Sequence, residues 1–241
     1  MILIDKYKCG YRITPKVCSS TICNYFADVL NIKPTDKWKQ PKDAVRKGMV
    51  HSRGFLPNDY YLFCFVRNPW SRLVSGYHEL IDNYFTVLET DPSKRPGGIA
   101  QNKKWAKAGK LTIQEMADLM DKPYTFANFI KFVTVTEKEH HAHANAHWDS
   151  QCNQIKQFWC ENRDRLISIS DYDFIGRFET FEPDFKHVVS SIKCPESTIP
   201  WKHKRLAKLD KTYKDYYTNQ DMIDSVGKHY EEDVDTFKYN F

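Results

Sequence analysis

The sequence lacks any long uninterrupted apolar run. No stretch of its 241 residues approaches the roughly 18 apolar residues that a membrane-spanning helix requires. The first residues, MILIDKYKCGYRITPK, also lack the apolar core of a secretory signal peptide. We therefore expect no membrane span and a cytoplasmic location.

Paired cysteines are also missing. The chain has 7 cysteines, which is an odd number, and no CxxC pair occurs among them. Several lie inside apolar runs, where a thiol behaves as a small apolar side chain. This pattern predicts mostly reduced thiols.

The composition excludes a disordered chain, because 41% of the residues are hydrophobic and 15% are aromatic. No low-complexity break interrupts the sequence, so we expect a single domain over residues 1–241. The formal charge of +5, from 36 basic and 31 acidic residues, suits an anionic ligand but is common in soluble proteins. A local cluster is more informative: basic residues crowd the stretch from Lys202 to Lys211.

Apolar periodicity predicts strands that alternate with helices. We expect strands at 11–14, 60–66 and 173–178, and helices at 21–30, 41–47, from Pro69 onward, 113–120, 125–133, 153–162, 182–192 and 219–230. The run YYLFCFV is continuously apolar, as in a strand buried on both faces. This order indicates an α/β fold with a central parallel sheet flanked by helices.

The first candidate binding segment is the loop TPKVCSST between a predicted strand and helix. Backbone N–H groups at a helix start hold anions, Ser19, Ser20 and Thr21 can add hydrogen bonds, and Lys16 supplies a positive charge. The loop lacks the glycines of the Walker A pattern, which disfavours nucleoside triphosphate hydrolysis. Alternatively, the three hydroxyls only cap an ordinary helix.

The second candidate segment, FVRNPWSRLVSGY, begins at the carboxyl end of the buried strand. Ligands of open α/β sheets bind at such strand ends. Arg67 can offer a guanidinium fork to a phosphate, and Ser75, two turns into the next helix, could reach the same group. We expect Arg72 to face solvent or a carboxylate.

These two segments resemble the nucleotide-binding motifs of sulfotransferases that use 3′-phosphoadenosine 5′-phosphosulfate (PAPS), in particular the carbohydrate sulfotransferase family (the sulfotransferase family 2 type). Later segments resemble the same family: His147-Trp148 before Gln151, YDFIGRFE from Tyr172, and a C-terminal pattern that comprises Tyr217, Thr218, Tyr230, Asp233 and Phe237. The resemblance covers most of the chain. The sequence departs from the family pattern at VCSST and at HWDSQ, so these motifs do not identify the acceptor.

The resemblance implies a P-loop-like sheet and PAPS as co-substrate, with no metal. It implies that the 5′-phosphosulfate is held by Lys16, Cys18, Ser19, Ser20 and Thr21, and the 3′-phosphate by Arg67 and Ser75. Lys16 would also be catalytic, as the charge that stabilises the leaving oxygen. Lys204 and Arg205, where related enzymes close a loop over the nucleotide, are further candidate phosphate contacts or else part of a solvated loop.

Two histidines are candidates for the general base that removes the acceptor's proton. His51 lies shortly before the Arg67 strand, where a related uronyl sulfotransferase group carries catalytic histidines, and its ordinary pKa suits the role. His147 is the rival base, and we expect it to contact substrate. A zinc site is disfavoured for the segment with Glu139, His140, His141, His143 and His147, because its spacing matches no common zinc motif.

The resemblance favours transfer of a sulfuryl group to a hydroxyl of a glycan, without a nucleic-acid partner. The enzyme alternative is a nucleotide-dependent kinase or phosphotransferase. The sequence disfavours it, because the loop TPKVCSST lacks the Walker A glycines. A non-enzymatic alternative is a polyanion-binding module that uses the basic cluster, and its binding would depend steeply on salt. The sequence predicts no oligomeric state.

Overall fold

The computed structural model describes residues 1–35, 39–48, 53–81, 85, 111–136, 145–195, 197, 199 and 211–241. Its backbone divides into two compact units, each made of two separated stretches. The first unit comprises Met1–Arg67 and Gln151–Arg205, and the second comprises Asn68–Ser150 and Leu206–Phe241. The single domain stays a prediction, because compactness alone does not show that either unit folds independently.

The first unit contains a four-stranded sheet in the order β1-β2-β4-β7. Its strands are β1 (Ile2–Ile4), β2 (Cys9–Arg12), β4 (Tyr61–Val66) and β7 (Phe174–Arg177). β2, β4 and β7 run parallel, and β1 is an antiparallel edge that the sequence analysis did not predict. The predicted α/β fold with a central parallel sheet is confirmed, and the carboxyl ends of three strands share one edge.

Helices cover this sheet and bury its aromatic side chains. They include α1 (Ser19–Val29), α2 (Pro41–Gly48), α6 (Gln151–Lys156) and α7 (Phe181–Ser191). Phe63 and Phe65 of β4 are completely buried, as the continuous apolar run predicts. Tyr25 of α1 meets Phe185 of α7 edge to face, with ring centroids 4.9 Å apart. Aromatic packing of this kind holds α1 and α7 together in the core of the first unit.

A second, three-stranded sheet in the first unit has the order β3-β5-β6. It consists of β3 (Arg53–Gly54), β5 (Trp159–Cys160) and β6 (Arg165–Leu166). The predicted helix at 153–162 is therefore wrong in its second half. The helix ends at Lys156, and Trp159–Cys160 pairs with other strands as β5. The amide of Ile167 donates to the carbonyl of Phe158 across 2.9 Å, which extends this pairing.

The second unit is helical in its described residues. Its helices are α3 (Pro69–Leu80), α4 (Ile113–Leu119), α5 (Phe126–Lys131), α8 (Gln220–His229) and α9 (Glu231–Phe237), with a π-helical turn at Phe132–Thr136. Pro69 occupies the first turn of α3, and the side chain of Asn68 caps the helix by accepting from the amide of Ser71. The core of this unit includes Trp70 and Trp148.

Among the described residues, no helix is both long and apolar enough to cross a bilayer. All 7 cysteines are free thiols. The reduced state of the cysteines stays a prediction.

Candidate active site

The loop between β2 and α1 has an uncommon backbone conformation. Lys16 and Cys18 both have positive φ angles, 68° and 50°, although neither is glycine. The left-handed conformation costs such residues about 1–2 kcal/mol each. Two residues with strained backbone within three positions are typical of functional loops. Turns of this kind direct backbone N–H groups toward an anion.

Helix α1 begins without a capping side chain. Its N-cap residue is Cys18, whose side chain makes no capping hydrogen bond. The alternative in which Ser19, Ser20 and Thr21 serve only as N-caps is therefore not what the structure shows, because all three lie within or at the start of the helix. The first-turn N–H groups of α1 suit an anion.

A buried hydroxyl beside the loop also fits an anionic ligand. Thr14 is only 1% exposed, and its Oγ1 has no hydrogen-bond partner among the described residues. A buried hydroxyl without a hydrogen-bond partner destabilises the fold, so proteins seldom retain one without a functional reason. A phosphate or sulfate oxygen at the loop is the kind of acceptor that this hydroxyl lacks.

Arg67 lies directly after β4 and is anchored to the same loop. Its Nη1 donates to the carbonyl oxygen of Lys16 across 3.2 Å, and its guanidinium carbon lies 4.0 Å from the ring centroid of Phe178. Stacking on an aromatic face and a main-chain hydrogen bond hold the planar fork in place. The structure thus brings two predicted residues, Lys16 and Arg67, together at the carboxyl ends of parallel strands.

The pKa of the Cys18 thiol is shifted by burial and by the charges around it. Burial raises its pKa to about 12, the positive charge of Arg67 opposes that shift, and the carboxylate of Glu179 adds to it. Cys18 therefore remains a neutral thiol near pH 7, and we assign it no nucleophilic role. Its contact with the nucleotide through the backbone stays a prediction.

Ser75 and His147 belong to the second unit. Ser75 lies in α3 and is partly buried. The next residue, Gly76, packs close to the segment that carries His147, because a Cβ added to this glycine would lie 3.4 Å from the His147 carbonyl oxygen. The predicted phosphate contact of Ser75 and substrate contact of His147 stay predictions.

The imidazole of His147 is oriented by Asn145. The Oδ1 of Asn145 accepts from the main-chain N–H of His147 across 3.1 Å and lies 2.8 Å from the ring Nδ1. A main-chain amide can only donate, so this side-chain atom of Asn145 is its oxygen. The ring Nδ1 must then carry a proton, and in the neutral ring the lone pair is on Nε2. In this form the ring can accept a proton at Nε2.

Of the two predicted surroundings of Arg72, solvent is wrong, whereas the carboxylates of Asp233 and Asp149 do act on its charge. It is 1% exposed, and its guanidinium donates to the carbonyl oxygens of Asp149 and Ala146 across 2.7 and 3.1 Å. Burial lowers its pKa, whereas Tyr230, Asp233 and Asp149 favour the charged form. The expectation of a solvent-facing Arg72 is wrong, because the buried turn at 145–150 needs a donor for its carbonyl groups.

Several predicted residues lie outside the described residues. These are His51, Lys204, Arg205, and the Glu139, His140, His141 and His143 part of the histidine-rich segment. Their roles stay predictions. Within the described part of the chain, no three or more His, Cys, Asp and Glu residues are grouped as metal ligands would be.

The sequence analysis assigned no role to Phe178, Asn145 or Gln151. Phe178 falls inside the YDFIGRFE segment and Gln151 follows the His147-Trp148 pair, so the family resemblance was the available signal for these two residues. Asn145 precedes both segments, and its contact with His147 is local, two positions away. The Gln151 contact is long-range, since Gln151 lies 84 positions from Arg67.

The family model described as "Sulfotransferase family" matches residues 1–240. The chain therefore belongs to the sulfotransferase family and is a transferase. It is similar to carbohydrate sulfotransferase 14 of Danio rerio, with 26% identity over 158 residues, which cover 65% of this chain and 34% of that protein. The aligned part thus spans about a third of that relative's length. No solved structure matches the chain.

Proposed function

We propose that this protein transfers a sulfuryl group from PAPS to a hydroxyl of a carbohydrate. The observation that carries the proposal is the strained Lys16–Cys18 loop, with the Arg67 guanidinium anchored on it, at the carboxyl ends of parallel strands. Family membership supports sulfuryl transfer, and the carbohydrate acceptor is suggested by the name of the relative.

The residues of the loop fit the donor nucleotide, which would supply the sulfuryl group. The first-turn amides of α1 and the Thr14 hydroxyl would bind its 5′-phosphosulfate, and Arg67 its 3′-phosphate. Lys16 would stabilise the negative charge that develops on the leaving oxygen, a contribution of about 10²–10³ in rate. Proton removal from the acceptor falls to His51 or His147, and general bases contribute ~10²–10⁴.

The donor site is tested by calorimetric titration of 3′-phosphoadenosine 5′-phosphate, with ATP as a second ligand. We expect tight binding to the wild type and about 10–100-fold weaker binding to Arg67→Ala, because hydrogen bonds to charged groups contribute about 1.5–3 kcal/mol. Arg165→Ala is the matched control, since it also removes one positive charge, that of an exposed arginine which pairs with Asp171. No binding to the wild type, or a preference for ATP, would favour the phosphotransferase alternative.

The acceptor class is tested by transfer of radioactive sulfate from PAPS. Desulfated glycosaminoglycans, simple sugars and non-carbohydrate alcohols are offered in parallel. We expect the label in carbohydrate, and loss of labelling in Lys16→Ala. Labelling of a non-carbohydrate alcohol alone would keep the sulfotransferase function and overturn the carbohydrate acceptor.

A further inference from the structure

Gln151 forms a two-point contact with the main chain of Arg67. Its Oε1 accepts from the Arg67 amide across 2.8 Å, and its Nε2 donates to the Arg67 carbonyl oxygen, also across 2.8 Å. Gln151 is fully buried, and Arg67 is 6% exposed. Both hydrogen bonds are therefore shielded from water, where they constrain geometry most strongly.

The Gln151 side chain takes the place of strand pairing beyond the end of β2. β2 pairs with β4 only as far as Arg12 opposite Cys64, so β4 continues beyond the end of its neighbour. On the other side, the amide of Phe178 still donates to the carbonyl of Val66. Because backbone groups of successive strand residues point to alternate sides, those of Arg67 point to the side on which β2 has ended. The amide of Gln151 satisfies both groups as a peptide unit would.

Helix α6, which carries Gln151, is held in place by other contacts. Arg12 donates from Nε to the Gln154 carbonyl across 2.7 Å, and the Tyr172 hydroxyl donates to the Ile155 carbonyl across 3.0 Å. Loss of the Gln151 amide therefore leaves the helix anchored. We therefore expect the loss to change the position of Arg67 first.

From these contacts we propose that Gln151 is a positioning residue, which fixes the Arg67 backbone so that the guanidinium stays aimed at the 3′-phosphate of the donor nucleotide. This inference rests on the proposed function. Because both hydrogen bonds of the Gln151 amide go to the Arg67 main chain, removal of that amide should weaken recognition of the 3′-phosphate rather than nucleotide binding in general.

The test compares 3′-phosphoadenosine 5′-phosphate with adenosine 5′-phosphate, which lacks the 3′-phosphate, by calorimetry on the full chain. We expect Gln151→Met to reduce the affinity ratio of the two nucleotides about tenfold, the effect of two net hydrogen bonds. Gln151→Asn, which keeps an amide but is too short for both contacts, should change the ratio in the same direction. Gln154→Met, at a buried position of the same helix, should leave the ratio unchanged.

The outcomes separate the two proposals. A wild type without preference for the 3′-phosphorylated nucleotide overturns the proposed function, and this inference falls with it. If the wild type shows the preference, an unchanged ratio in both Gln151 variants overturns the positioning role alone. Equal weakening for both nucleotides also overturns it, because that result indicates a general structural role.

Discussion

At the scale of single residues, the hydrogen bonds of Asn145 fix the proton position on the His147 ring. We expect the neutral imidazole to carry its proton on Nδ1, since the Asn145 oxygen can only accept. The measurement is a long-range ¹H–¹⁵N correlation spectrum of the histidine rings above pH 8, which distinguishes protonated from unprotonated ring nitrogens. The His147 signals are assigned by their absence in His147→Gln.

Asn145→Ala is the matched comparison for this prediction. It removes the acceptor at Nδ1, so the preference for the Nδ1–H form should shrink or vanish. A wild-type spectrum with the proton on Nε2 would contradict the assignment of the proton to Nδ1.

At the scale of secondary structure elements, the pairing of β4 with β7 depends on Gly176. A Cβ added there would lie 2.3 Å from Cε1 of Phe65, whose side chain is completely buried. We expect Gly176→Ala to lower the free energy of unfolding by about 1–3 kcal/mol, the usual cost of overpacking a core. Urea unfolding followed by circular dichroism measures this change.

Gly76→Ala in α3 is the control for this substitution. Its added Cβ would find its nearest neighbour at 3.4 Å, an ordinary contact distance, and alanine favours a helix over glycine by about 1 kcal/mol. We expect equal or slightly higher stability. Equal stability of Gly176→Ala and the wild type would show that Phe65 can move without cost.

At the scale of the whole molecule, buried thiols make stability depend on alkaline pH. Burial raises the pKa of Cys9 and of Cys18 to about 12, well above the ordinary thiol value. Above pH ~9 the unfolded chain loses these protons while the folded chain keeps them, so the free energy of unfolding falls as pH rises toward 12. Each thiol contributes at most about 1.4 kcal/mol per pH unit in that window.

The measurement is the urea midpoint at pH 7 and at pH 10, which we expect to be lower at pH 10. Cys9→Ala removes one of the two thiols and should reduce the difference between the two midpoints. A midpoint that stays constant or rises between these pH values would contradict the buried, neutral thiols.

The sequence determined the elements whose cause is local. The apolar run at 60–66 predicts β4 at Tyr61–Val66, and Pro69 predicts the start of α3. The two strand-loop-helix segments, with Lys16 and Arg67, also follow from neighbouring residues alone. Strand bounds were less accurate, because pairing with another strand ends β2 at Arg12 rather than at Thr14.

Only the tertiary structure decided how the candidate site is held. The contacts of Arg67 with Lys16, Phe178 and Gln151 join residues that are distant in sequence. Lys16 lies 51 positions from Arg67, and Gln151 lies 84 positions from it. Local patterns cannot encode such pairs, because hydrogen bonds between distant segments form only when the sheet brings the strand ends together. The burial of Arg72 has the same cause: a distant turn offers carbonyl groups that need a donor.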